Sequence, residues 1–125
     1  MIKGKRVLNQ PAGHVETGES LSEAVIRETL EETAWHVEPV AITGIYRWQK
    51  PGSDETFFRH CFAAKACDFD ATRELDSGIL KAIWLNRDEL LERKNELRSP
   101  LVLTSIDDYQ SGQRFPLHLY QDIDD

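Results

Sequence analysis

Two strand-like runs on either side of a short turn constrain this 125-residue chain more than any other feature. "VEPVAITGIYRWQ" at 37–49 and "TFFRHCFAAKA" at 56–66 are rich in β-branched and aromatic side chains, which suit a pleated, half-buried surface. The intervening "KPGSDE" carries Pro51 and Gly52, both turn formers. An antiparallel hairpin is expected. A lone hairpin is marginal in water, so the rest of the chain must cover it.

Helical patterns on both sides supply that cover. Upstream, apolar residues recur at Leu21, Val25, Ile26 and Leu30; Thr17 or Gly18 is the expected cap, Glu19 favours the positive end, and the helix should stop near Thr33 or Ala34. Downstream, "KAIWL" at 81–85 reads as a short strand with Trp84 in the core. "NRDELLER" opens a helix with Asn86 and Glu89 in a capping box. Ser99 should cap a last helix that has Pro100 in its first turn and ends near Gly112. Helices interleaved with strands predict an α+β domain, a sheet covered by helices. With no repeat, linker or low-complexity stretch, residues 1–125 read as one domain.

Charge narrows the partners. A net charge of −7 argues against nucleic acid or an acidic membrane as a partner of any broad face. No apolar run is long enough to span a bilayer, and "MIKGKRVLNQ" lacks the apolar stretch of a secretory signal. Cys61 and Cys67 lie too far apart along a strand to bridge, so free thiols and a cytoplasmic location are expected. The four histidines share no ligand spacing, which argues against zinc.

The upstream helix holds a second feature. Glu28, Glu31 and Glu32 fall within about 100° of one helical face, where like charges repel. Arg27 can pair with Glu23 and Glu31 but cannot neutralise the rest. Either this is a solvated acidic face or a cluster that takes a hard divalent cation. The loop "NQPAGHVETGE", tight through Pro11, Gly13 and Gly18, favours the cluster, because it can aim the carbonyl of Ala12 or Gly13 at a cation there.

Gly13, five residues, Glu19, seven residues, Arg27-Glu28, two residues, Glu31-Glu32 resembles the box of the Nudix hydrolases. A chance match to these six positions in such a chain is on the order of one in a hundred thousand. Thr29 stands where the box usually has an aliphatic residue, and Ala34 where it has glycine. "NQPAGHVETGESL" and "LRSPLV…YQSGQRFPL" are similar to a phosphatase branch of the family, so the resemblance covers nearly the whole chain. It implies an α/β/α sandwich with a mixed β-sheet, in a domain expected to be short at its amino end.

The resemblance also implies a function. Nudix enzymes cleave phosphate or diphosphate bonds of nucleoside di- and triphosphates or related pyrophosphates, such as a thiamine-pathway pyrimidine pyrophosphate, using Mg²⁺ or Mn²⁺. Glu28, Glu31 and Glu32 would bind metal with the Ala12 carbonyl, Arg27 would hold the carboxylates, and Glu19 would support the loop. Asp76 would add a later acid, and Arg47 and Arg59 are candidates for substrate phosphate. The expected partner is a small phosphorylated molecule. The alternative is a non-catalytic Nudix-fold module that binds a nucleotide or regulates. An exposed sheet edge also leaves room for a homodimer.

Overall fold

The computed structural model describes residues 7–123. The basic start "MIKGKR" lies outside them. The order is α1 (Leu21–Thr33), β1 (Trp35–Gln49), β2 (Thr56–Phe69), α2 (Arg87–Glu92), a 3₁₀ turn at Lys94–Glu96, α3 (Leu101–Gln110) and a second 3₁₀ turn at Leu117–Leu119.

The hairpin forms as the turn and strand chemistry require, with Gln49 opposite Thr56 and Trp48 opposite Phe57, whose rings stack at 5.7 Å. Both strands run further than the sequence indicates, to Trp35 and Phe69, which face each other in register and touch through their rings. Register shifts at His36/Val37, Pro39/Ala41 and Ile42/Gly44 break the ladder, as β-bulges do. Up to Ala41 the odd residues of β1 turn inward; beyond the buried Ile42–Gly44 stretch Tyr46 and Trp48 do. Gly44 is needed at this break, because a Cβ there would collide with the Tyr46 hydroxyl.

α1 and α3 both pack on β1, and the core lies between them. Its residues are Ala24, Ala34, Ile42, Ala63, Leu90, Leu101 and Val102, of which Ile42 and Val102 are the large side chains fully enclosed. Ile42 also exchanges two backbone hydrogen bonds with Phe115, at 2.9 and 2.7 Å. The strand pair is antiparallel, and among the described residues the parallel component is one bridge between Leu8 and Leu97.

Several expectations are corrected. Ser20, not Thr17 or Gly18, caps α1, in a reciprocal box with Glu23 that sequence reasoning overlooked. The 81–85 stretch is not a strand: no strand among the described residues lies beside it, and Trp84 is 72% exposed, meeting Trp35 edge-on rather than entering the core. Ser99 does receive the Leu101 amide (3.3 Å), but α3 starts at Leu101 and stops at Gln110. The Asn86–Glu89 capping box of α2 is present as expected. Cys61 and Cys67 are free thiols. No described helix is long and apolar enough to cross a membrane.

Candidate functional site

α1 presents its acidic face to the loop at 10–19. The Ser20–Glu23 box starts the helix (2.9 and 3.1 Å), which occupies Glu23 and removes it from Arg27. Ala34 ends the helix with φ 65°, in the left-handed region that accounts for the glycine usual at this position, and its methyl group is buried.

Arg27 is the organising cation. Its guanidinium donates to Glu19 at 2.7 and 3.0 Å, to Glu28 at 2.8 Å, to Glu31 at 3.1 Å and to the His14 carbonyl at 2.9 Å. Glu16 adds an ion pair at 3.3 Å. Helix and loop are thereby tied together through one side chain. The same bonds keep the Glu19 carboxyl below its ordinary range, with Arg27 the larger cause and the Glu16 amide the lesser, and hold Arg27 firmly protonated.

Glu32 lies on the other side of the cluster, beneath the loop. Its carboxylate accepts the Ala12 amide at 3.3 and 3.4 Å. Burial, then a hydrogen bond shared with Glu28, push its pKa from 4.5 to about 8, and the nearby charges of Glu28 and Asp76 add to this. The loop comes close enough for this because residue 13 is glycine: a Cβ there would overlap the Glu28 carboxyl.

The sequence-derived residues are not all assembled as expected. Among the described residues, no three acidic, histidine or cysteine side chains surround one point as a ready ligand set. The reason is local: Glu28 and Glu31 lean to Arg27, while Glu32 turns to Ala12. Ala12 meets the cluster through its amide rather than its carbonyl. Asp76 is brought in, its amide donating to the Glu31 carbonyl at 3.0 Å. Arg47 and Arg59 are not brought together. Tyr46 pairs with Arg59 and Arg47 with Phe58, so the two arginines occupy opposite faces of the hairpin. Arg47 is exposed, whereas Arg59 has an enclosed Nη1 with no hydrogen-bond partner among the described residues. Sequence reasoning missed Glu16, the His14 carbonyl and Gln10; only their place in the loop hinted at them.

The model of the NUDIX domain matches residues 3–104. The chain belongs to the Nudix family. It is 43% identical over 123 residues to Phosphatase NudJ of Escherichia coli strain K12 and to that of Shigella flexneri, covering 98% of this chain and 78% of each relative. A solved NUDIX hydrolase from Nitrosomonas europaea superposes with a TM-score of 0.90 at 43% identity, over 94% of this chain and 79% of that one. The α+β Nudix fold and a Nudix-type phosphohydrolase activity follow from these matches. Glu19, Arg27, Glu28, Glu31 and Glu32 all fall inside the matched stretch.

Proposed function

We propose that this Nudix phosphohydrolase cleaves phosphate or diphosphate bonds of nucleoside di- and triphosphates, or of related pyrophosphates such as a thiamine-pathway pyrimidine pyrophosphate, with Mg²⁺ or Mn²⁺. One observation carries the reading: Glu28, Glu31 and Glu32 lie on one face of α1 under the loop, tied there by Arg27 and the Ala12 amide, with the Glu32 carboxyl half-buried among them. Crowded hard oxygen donors of this kind exchange a proton for a hard divalent cation. The donor chemistry suits such a cation: Glu28, Glu31 and Glu32 would hold it once they turn from Arg27 and the Ala12 amide, and the Ala12 carbonyl would join them only if the turn re-aimed it. When bound, the cation neutralises phosphate oxygens and lowers the pKa of water.

The chain's own residues do the rest. Arg27 and Glu19 fix the loop against α1, so the carboxyls keep their places. Glu32, half-buried beneath the loop and held by the Ala12 amide, is the carboxyl placed to take a water proton. Asp76 is the acid that supports the cluster from the loop after β2. Arg59, with its unpaired Nη1, is the better-placed arginine for an anionic group, and Arg47 is left to solvent. Free thiols support a cytoplasmic location, and the exposed apolar side chains of β2 support a homodimer.

The test is phosphate release from a panel of nucleoside di- and triphosphates and pyrimidine pyrophosphates, with and without Mg²⁺, for wild type and Glu32→Gln. Release that needs Mg²⁺ and falls at least a hundredfold in Glu32→Gln supports the proposal. No release with any metal, from a folded sample, refutes it and leaves the binding module.

A further inference from the structure

The loop that meets Glu32 is tethered from the far end of the chain. Leu8 donates its amide to the Glu96 carbonyl at 2.6 Å and accepts the Arg98 amide at 2.8 Å. Two residues on, the Gln10 carboxamide donates from Nε2 to the Ser105 hydroxyl at 3.0 Å. Ser105 is buried in α3, and its single proton is shared between the Val102 carbonyl at 3.0 Å and Gln10 Oε1 at 3.3 Å. The shorter pair forms a consistent set: Gln10 donates to the hydroxyl, and the hydroxyl donates to Val102. Two residues beyond Gln10 comes the Ala12 amide on Glu32.

We propose that Gln10 and Ser105 are positioning residues, a latch that sets where the Ala12 turn meets the Glu28–Glu32 pair. The inference rests on the reading of that pair as a cation site. Ser105 touches none of the carboxylates, so its influence passes through Gln10 and the two bonds to Ala12. α3 is a firm support because the Tyr46 hydroxyl donates to Asp108 at 2.6 Å, pinning the helix to β1. From its other side the turn is held by the Arg27 bond to His14. Removing the latch leaves the Leu8 bonds, four residues before Ala12, and the Arg27 bond to His14, two residues after it. Ligand-supporting contacts of this kind typically change metal affinity 10- to 100-fold when deleted.

The experiment compares wild type, Ser105→Ala, Gln10→Ala and the double variant. Mn²⁺ affinity is read by electron paramagnetic resonance titration, and Ala12 and Gly13 amide exchange is measured in metal-free protein. Each single variant should lose about tenfold in Mn²⁺ affinity, and the Ala12 amide should exchange faster. The double variant should be no worse than either single, because both cut one link. Unchanged Ala12 exchange, unchanged Mn²⁺ affinity or additive losses would overturn the latch. So would a loss confined to Ser105→Ala, which marks general loosening of α3; if that variant does not fold, Gln10→Ala, at a partly exposed position, decides alone. A wild type that binds no Mn²⁺ would refute the cation site, while faster Ala12 exchange in the same samples would still support the latch.

Discussion

Replacing Glu32 by glutamine should stabilise the metal-free protein, and only at the upper end of the pH range. Glu32 has a folded pKa of about 8 against 4.5 for the free group. Between those values the folded chain holds a proton that the unfolded chain has released. Stability therefore falls as pH rises from 4.5 toward 8, and the contribution is complete only below 4.5. Fully enclosed, the group would cost about 1.4 kcal/mol per pH unit in that interval. It is half-buried and water screens it, so we take about 2 kcal/mol over the whole interval. Glutamine keeps the hydrogen-bonding shape without the charge. In a chelator at pH 8, Glu32→Gln should melt roughly 6 °C above wild type, and at pH 4.5 the two should coincide. Thermal melts followed by circular dichroism at both pH values decide it. Equal melting at pH 8, or the same gain at both pH values, would refute the account of Glu28 and Glu32 as a crowded pair. Saturating Mg²⁺ should reverse the order at pH 8, because only wild type gains from binding.

Other changes separate site from scaffold. Gly13→Ala puts a methyl group against the end of the Glu28 side chain, so stability should change by under about 1 kcal/mol while Mn²⁺ affinity, measured by titration, drops at least tenfold. Tyr46→Phe removes the hydroxyl bonded to Asp108 and should cost about 1 kcal/mol in urea unfolding with an unchanged slope. Trp84→Ala should cost under about 1 kcal/mol, since the ring is mostly in water; a loss above about 3 kcal/mol would mean that it is covered in solution.

The site was legible in sequence wherever it depends on neighbours along the chain. Glu28, Glu31 and Glu32 share a face because helix geometry puts them there, and Arg27 reaches Glu31 for the same reason. The loop's approach was visible in Gly13. What the carboxylates do once there was not visible. Arg27 takes Glu28 and Glu31 for itself, and Glu23 is lost to the cap at Ser20. The sequence reading erred most where a strand needed a partner: "KAIWL" has the composition of a strand, yet composition cannot supply a neighbouring ladder.

By itself, then, the sequence determined the hairpin, the α2 capping box, the acidic face of α1 and the family those residues mark. These rest on backbone rules that act over a few residues. Only the tertiary structure decided that Arg59 is partly enclosed while Arg47 stays in solvent, that burial beside Glu28 raises the Glu32 pKa, and that Gln10 meets Ser105 across 95 residues. Such outcomes depend on which surfaces are buried together and which charges lose their water. No local pattern encodes that.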